Sequence, residues 1–173
     1  MIQLDHRAEH WIVTHRAGGL DYVFIWLSRA GTLGLVWLAL GAAVALALRR
    51  PSILLLVVAA DLVSDLSASA LKEIVGRARP DETHRLVGAS GLSFPSGHAA
   101  TSFACALVLA VAIPRLAVPF LALATAIAFS RLYVGVHYPL DVAAGAAVGL
   151  TVATALLLLA RARRKSPAAL RSG

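Results

Sequence analysis

The sequence predicts an all-α integral membrane protein, a bundle of about five transmembrane helices that follows a short amphipathic helix. Composition is the first reason: 59% of the 173 residues are hydrophobic and 14% are charged, with a mean hydropathy of +0.78. Soluble domains keep about 25% of their residues charged. Length is the second reason, because the apolar residues form long runs that approach the roughly 20 residues needed to cross a bilayer.

The N-terminal segment, residues 2–16, is predicted to be a helix that lies in the membrane interface. Leu4, Ala8, Trp11 and Ile12 share one helical face, opposite several charged residues. An apolar stripe facing a charged stripe is typical of helices that lie flat on a membrane.

Five transmembrane spans follow an interfacial approach over residues 20–28. They are predicted at about 31–48, 52–75, 97–113, 116–131 and 138–160. Pro51 separates the first two spans because proline cannot continue the helical hydrogen-bond ladder. One domain over residues 1–165 is expected at this length, and residues 166–173 are predicted to be a disordered tail on the cytoplasmic side.

Basic residues concentrate at one end of the predicted bundle. That end carries eight of them and no acidic residue: Arg49, Arg50, Arg115, Arg161, Arg163, Arg164, Lys165 and Arg171. The positive-inside rule places this end in the cytoplasm, so the other end is predicted to face the extracellular or periplasmic side of the plasma membrane. Topology and an anion site together account for the net charge of +7, and no nucleic-acid partner is expected.

Lys72-x6-Arg79-Pro80 is the first of three polar clusters at the predicted outer end. A lysine on the last turn of the second span and an arginine on the exit loop can converge on one anion. Arginine offers a planar fork for two phosphate oxygens, and lysine acts as a point charge. Taken alone, the pair is more simply interpreted as two cations that snorkel to the membrane surface.

Pro95-Ser96-Gly97-His98 is the second cluster and opens the third span. Ser96 is a predicted N-cap, Gly97 permits a ligand to approach the backbone closely, and His98 lies in the first turn. A helix N-terminus presents free N–H groups and a positive dipole end, which favour a bound anion. A lone histidine at a helix start is more often a surface residue, but the turn-forming residues before it favour a phosphate site.

Ser130-Arg131-x5-His137-x3-Asp141 is the third cluster and runs from the fourth span into the fifth. The carboxylate of Asp141 can hold the Nδ1–H of His137 and leave Nε2 free as a nucleophile, as aspartate does for histidine in hydrolytic triads. Arg131, from the preceding helix, can reach the same phosphate. The simpler structural interpretation is a buried His–Asp hydrogen bond that only joins two helices.

Together the three clusters resemble the type 2 phosphatidic acid phosphatase family of membrane lipid phosphatases. The family pattern, K-x6-R-P, then P-S-G-H, then S-R-x5-H-x3-D, is matched at every specified position, and the resemblance covers roughly residues 20–160. It implies a core fold shared with the soluble vanadium haloperoxidases. It also implies metal-independent hydrolysis of a phosphomonoester or a pyrophosphate.

The resemblance further implies a role for each site residue. His137 would attack phosphorus to give a phosphohistidine, His98 would protonate the leaving oxygen, and Asp141 would orient His137. The other residues would hold the phosphate oxygens: Lys72, Arg79, Arg131, Ser96 and the Gly97 amide. No cofactor is implied, and the sequence contains no HExxH, paired-cysteine or carboxylate motif that would indicate a metal site.

Three functions are compatible with these observations. The leading hypothesis is an outward-facing lipid phosphatase that converts undecaprenyl diphosphate to undecaprenyl phosphate, a carrier used in cell-wall biogenesis. The same residues would serve a phosphatase of phosphatidylglycerophosphate, phosphatidic acid or a decaprenyl-phosphosugar, because they contact the phosphate and not the lipid tail. A small transporter or lipid-binding membrane protein is the alternative from a different class.

Two features lie outside this pattern. Asp61 and Asp65 lie within the second span; contacts to neighbouring helices are the simpler interpretation, and an ion path of a transporter is the other. Asp61 is predicted to lie about 16 Å from Lys72, too deep to reach the phosphate. Residues 81–94 form the longest outer loop, which is either a lid that selects the headgroup or an inert connector.

Overall fold

The computed structural model describes residues 2–165, and within them every regular element is a helix. Seven α-helices follow in chain order: α1 (Ile2–Thr14), α2 (Asp21–Ala30), α3 (Leu35–Ala47), α4 (Pro51–Val75), α5 (Gly97–Ala112), α6 (Ala117–Tyr133) and α7 (Pro139–Lys165). The all-α prediction is therefore confirmed. The predicted tail, residues 166–173, lies outside the described residues.

Within residues 2–165, three helical segments are long and apolar enough to cross a membrane: Pro51–Val75, Pro114–Tyr133 and Pro139–Arg163. They correspond to the predicted second, fourth and fifth spans. The predicted first span, 31–48, corresponds to α3, which has only 13 residues, and α2 overlaps the predicted interfacial approach. The two helices meet at 66° across a break near Gly34 (φ +63°). Counted as one broken span, this pair is the fourth.

The predicted third span is the 16-residue helix α5, which is shorter than the other spans. Ten of its sixteen residues are buried, so α5 is the central helix of the bundle and contacts α4, α6 and α7. Protein surrounds it on several sides, and its length therefore does not have to match the lipid alone. Cys105 on this helix is fully buried.

Glycines on α7 bring its backbone against that of α5. A Cβ atom at Gly145 would lie 2.3 Å from the Ser96 carbonyl oxygen, and one at Gly149 would lie 2.1 Å from the Ala100 carbonyl oxygen. Small residues allow such close packing of membrane helices. This contact fixes the start of α5 beside the start of α7, where two of the predicted clusters lie.

Helix α1 packs against the bundle through its polar face. Asp5, Glu9 and Val13 are buried, whereas Leu4 is 68% exposed and Trp11 is 62% exposed. The apolar face identified from the sequence thus points away from the bundle, as contact with lipid would require. The sequence did not predict that the acidic residues opposite it would be buried, and their partners belong to the site described next.

Candidate active site

The ends of α4 and α6 and the starts of α5 and α7 meet around an open cavity of about 650 Å³. Six of the eight predicted site residues line this cavity: Lys72, Arg79, Gly97, His98, Arg131 and His137. The other two, Ser96 and Asp141, are fully buried next to lining residues. The structure therefore brings the three sequence clusters together, although the chemical role of each residue remains a prediction.

His137 lies between a carboxylate and a guanidinium. Its Nδ1 is 3.4 Å from Oδ2 of Asp141, and its Nε2 is 3.2 Å from Nη1 of Arg79. The same Asp141 oxygen accepts a hydrogen bond from the Tyr138 backbone N–H at 2.9 Å, at the start of α7. With the proton held on Nδ1 by Asp141, the lone pair of Nε2 points toward the arginine that is predicted to bind phosphate.

Burial lowers the pKa of His137 to about 4. The hydrogen bond to Asp141 raises it, but the nearby positive charges of Arg131 and Arg79 act in the same direction as burial. Each of these effects is the expected response of a cationic acid to desolvation and to charge. The ring is therefore neutral at physiological pH, which is the protonation state that a nucleophilic imidazole requires.

Each of the predicted phosphate-binding cations donates a hydrogen bond to an oxygen atom of a neighbouring loop or helix. Arg79 donates to the Ser90 carbonyl at 3.0 Å and to the Val136 carbonyl at 2.9 Å. Lys72 Nζ donates to the Pro95 carbonyl, and Arg131 Nη1 donates to the Ser28 hydroxyl. These contacts fix three positive charges around one cavity before any ligand is bound.

Two buried nitrogen atoms in side chains that line the cavity have no hydrogen-bond partner within residues 2–165. They are Nε2 of His98 and Nε of Arg131. A buried polar atom without a partner costs about 1–3 kcal/mol, so such atoms are uncommon in folded proteins. An anion in the cavity would supply the missing acceptor.

The start of α5 is built as the sequence predicts. Ser96 is the N-cap, and its hydroxyl accepts a hydrogen bond from the Ala99 N–H at 3.4 Å. The Ser96 N–H donates to the Asp141 backbone carbonyl at 2.9 Å and so ties α5 to α7. Because the Ser96 hydroxyl is used as a cap and is not part of the cavity wall, its predicted contact with phosphate stays a prediction.

Sequence reasoning missed Arg77 and Asp5. Arg77 contacts Oδ1 of Asp141 at 2.7 Å and Oδ2 of Asp5 at 2.6 Å, and its guanidinium lies 4.0 Å from the centre of the Tyr138 ring. Asp5 also accepts a hydrogen bond from the Leu140 N–H at 2.9 Å. Helix α1 is thus joined through one arginine to the carboxylate behind His137.

Asp61 and Asp65 have different surroundings, although the sequence suggested one role for both. Asp65 lines the cavity, together with Arg29 and Thr32. Asp61 lies against the turn that precedes α3, where a Cβ atom on Gly34 would come within 2.1 Å of its Oδ1. Asp65 lies beside the start of α5, where its Oδ1 is 3.4 Å from the position of a Cβ atom on Gly97. Residues 86–90 of the outer loop also line the cavity.

Comparison with known proteins decides the family. The model of the PAP2 superfamily matches residues 51–165, which include all three clusters. The chain belongs to the PAP2 superfamily. The sequence-based recognition of the type 2 phosphatidic acid phosphatase family is thereby confirmed.

Several PAP2 proteins are similar to this chain over different lengths. The decaprenylphosphoryl-5-phosphoribose phosphatase of Mycobacterium tuberculosis (strain ATCC 25618 / H37Rv) is 40% identical over 134 residues, which is 73% of this chain and 72% of that protein. The lipid A 1-phosphatase of Rhizobium johnstonii is 43% identical over 95 residues, 50% of this chain and only 39% of that longer protein. The crystal structure of the PAP2-type phosphatidylglycerolphosphate phosphatase from Bacillus subtilis superposes with a TM-score of 0.76 and 26% identity, over 92% of this chain and 86% of that one.

Proposed function

We propose that this PAP2 protein is a membrane lipid phosphatase that hydrolyses a phosphomonoester or diphosphate through a phosphohistidine on His137. The observation that carries the proposal is the pair of buried nitrogens without partners, on His98 and Arg131, in a cavity that also holds Lys72 and Arg79. A phosphate dianion satisfies both nitrogens and neutralises the cations. The lipid phosphatases among its relatives support the same activity.

The first half of the proposed reaction forms a covalent intermediate. Nε2 of neutral His137 attacks phosphorus, and the bond between phosphorus and the leaving oxygen breaks. His98 gives a proton to that oxygen, because the dianion bound beside it favours the protonated imidazole. Lys72, Arg79, Arg131 and the start of α5 stabilise the charge that spreads over the phosphoryl oxygens.

The second half releases inorganic phosphate. His98, now neutral, takes a proton from water as that water attacks phosphorus and the bond to Nε2 breaks. Asp141 keeps the Nδ1 proton in place and stabilises the positive charge on the His137 ring while the intermediate exists. Arg77 fixes the other oxygen of Asp141 through its contact at 2.7 Å.

The substrate is proposed to be a polyprenyl-linked phosphate. Undecaprenyl diphosphate, the substrate expected from the sequence, offers a terminal phosphate that the cation set would bind. The mycobacterial relative favours a polyprenyl-phosphosugar, because its sequence match covers most of both chains. Both substrates would react with the same nucleophile, so a difference in their rates of hydrolysis must come from other residues of the cavity.

Phosphate release from the purified protein tests the proposal. Wild-type protein in detergent is expected to release phosphate from at least one polyprenyl substrate, and His137→Asn protein is not. Activity is expected to persist in a chelator and to be inhibited by vanadate, which adopts the five-coordinate geometry of phosphoryl transfer. Turnover that stops in chelator and returns with Mg²⁺ would contradict the metal-independent mechanism, and release of no phosphate at all would favour the transporter or lipid-binding alternative.

We also propose that the cavity faces the extracellular or periplasmic side. Arg50, Arg115 and Arg161 lie at the opposite end of the bundle, as the positive-inside rule requires of the cytoplasmic end. Single cysteines at Glu82 and Ala162, in a Cys105→Ala background, can be probed with an impermeant thiol reagent on intact cells. Labelling at 82 with protection at 162 is expected, and the reverse pattern would place the site in the cytoplasm.

A further inference from the structure

The cavity that is proposed to bind phosphate also contains a carboxylate in its wall, which indicates that the ligand carries a second polar group. Asp65 lines the cavity, and its Oδ1 lies 3.4 Å from the position that a Cβ atom on Gly97 would take. Gly97 begins α5, so the carboxylate is a direct neighbour of the proposed phosphate site. A phosphate bound at the start of α5 would lie close to this carboxylate, and because like charges repel, Asp65 is not expected to bind the phosphate itself.

The carboxylate of Asp65 has no hydrogen-bond or ion-pair partner in the described part of the chain. The side chain is exposed where it lines the cavity, makes no hydrogen bond within residues 2–165, and has no cation within 4.0 Å of its oxygens. Lys72 lies two helical turns further along α4 and donates to the Pro95 carbonyl. An ionised carboxylate offers strong acceptor sites, and donors that belong to the ligand would use them.

The wall around Asp65 supplies further polar groups. Thr32 places a hydroxyl in the cavity, and this hydroxyl donates to the Ser28 carbonyl at 3.3 Å, so its oxygen can still accept a hydrogen bond. Arg29 adds a positive charge to the same wall. The cavity volume of about 650 Å³ falls within the range of about 300–1,000 Å³ that is typical of sites for whole small molecules.

We propose that Asp65 and Thr32 form a headgroup subsite that hydrogen-bonds the hydroxyl groups of a sugar or polyol attached to the phosphate being hydrolysed. The proposal rests on the proposed phosphatase function and narrows its substrate class to hydroxylated lipid phosphates. A prenyl monophosphate or diphosphate has no hydroxyl donor for Asp65, whereas a lipid phosphosugar has several. Arg29 fits the second phosphate, which joins such a sugar to its lipid.

Two substrates, one with sugar hydroxyls beside the phosphate and one without them, test the subsite. The first is a short-chain prenyl-phosphoryl-ribose 5-phosphate, assayed beside its 2-deoxy and 3-deoxy analogues; the second is farnesyl phosphate. Asp65→Leu is expected to lower kcat/KM for the ribose substrate by about 10–100-fold, the usual effect of losing a hydrogen bond to a charged group, and Asp65→Asn by less. Neither variant is expected to lower kcat/KM on farnesyl phosphate, because that substrate has no hydroxyl group for Asp65 to bind.

The deoxy analogues, which lack one hydroxyl of the ribose substrate, provide the second part of the experiment. At least one deoxy analogue is expected to lose a similar factor with wild-type protein and to lose little more with Asp65→Leu, because both changes delete one hydrogen bond. Asp61→Asn is the matched control: the residue lies one turn away on α4 but against Gly34 and outside the cavity wall. This variant is expected to leave the ratio of kcat/KM for the two substrates unchanged.

The outcomes separate this inference from the proposed function. Equal losses on both substrates in the Asp65 variants, or no loss on the ribose substrate, would overturn the subsite. If Asp61→Asn changes the ratio of kcat/KM for the two substrates as much as the Asp65 variants do, the subsite is also overturned. That result would indicate that the two carboxylates act together. If wild-type protein releases phosphate from none of the substrates, the proposed function fails instead.

Discussion

The two ends of the bundle both carry arginines, but they hold them in different ways. At the cavity end, Arg131 is 7% exposed, and Arg79 donates to the Ser90 and Val136 carbonyls. At the opposite end, Arg50 and Arg161 are exposed and border a smaller, largely apolar cavity of about 200 Å³. The proposed site is distinguished less by the number of its cations than by their burial and by the hydrogen bonds that hold them in place.

Energetics explain why the difference points to function. An exposed arginine loses little hydration and contributes about 0–1 kcal/mol through any surface ion pair. Cations collected in a partly buried cavity repel each other and lose hydration, which costs several kcal/mol per ion. Only a bound anion offsets that cost fully. The exposed end needs no ligand to explain its charges, because the proposed orientation of the protein in the membrane would account for them.

The largest expected effect comes from removing the nucleophile at the cavity end. His137→Asn keeps a polar side chain of similar size beside Asp141 but cannot form a phosphohistidine. Turnover should fall by at least about 10³-fold, as when the nucleophile of another hydrolase is removed. Steady-state phosphate release measures this. His15→Asn, an exposed position on the chain leading out of α1, is the control and should retain wild-type rates.

The second prediction compares arginines of the two ends directly. Arg79→Gln and Arg131→Gln should each lower kcat/KM by about 10²–10³-fold, because each removes charge from the place where the phosphoryl group becomes more negative. Arg50→Gln and Arg161→Gln should change kcat/KM by less than about twofold. Comparable losses of kcat/KM at both ends would show that the substitutions act through membrane insertion. They would contradict the claim that only the arginines at the cavity end support catalysis.

A smaller effect is expected for the residues that act through Asp141. Arg77→Gln removes the contact at 2.7 Å from Asp141 and should lower kcat by about tenfold while leaving KM within about twofold, since Arg77 does not line the cavity. Asp5→Asn should act in the same direction and more weakly. A rise in KM without a change in kcat would contradict a positioning role. Arg7→Gln, on the exposed side of α1, is the matched control.

The smallest effect concerns the pH dependence of the cavity end. Burial lowers the pKa of His137 to about 4, below the ordinary histidine value of about 6.5, so the ring takes up a proton only as the pH falls to about 4. Ring ¹⁵N resonances of histidine-labelled protein without phosphate, assigned by comparison with His137→Asn, should report a neutral ring at pH 5.5. A midpoint near 6.5 would show that the ring is well hydrated.

Much of the site could be predicted because each cluster is local in sequence. His137 and Asp141 are four residues apart, and Ser96 caps the helix that begins one residue later. The hydrophobic runs gave the order of the helices, and their alternating directions brought Lys72, His98 and Arg131 to one end. These inferences need only helical geometry and a membrane of fixed thickness.

The remaining features depend on contacts between distant parts of the chain. Asp5 and Arg77 are 72 positions apart, and nothing near either residue predicts the contact. Asp61 and Asp65 share one face of α4, so only their neighbours, Gly34 for one and Gly97 for the other, distinguish them. The break between α2 and α3 likewise depends on a positive φ angle at Gly34, inside a run that looks continuous.

Mapping the phosphoenzyme tests the central claim most directly. Wild-type and His98→Asn proteins can be mixed with a substrate, quenched with alkali after a short time and digested for mass spectrometry, because phosphohistidine survives in base. The proposed mechanism predicts one phosphate on His137, with a larger trapped fraction in His98→Asn when a good leaving group is used, since deprotonation of water is then slow. Phosphate on His98, or turnover by wild-type protein with no phosphohistidine at any time, would contradict it.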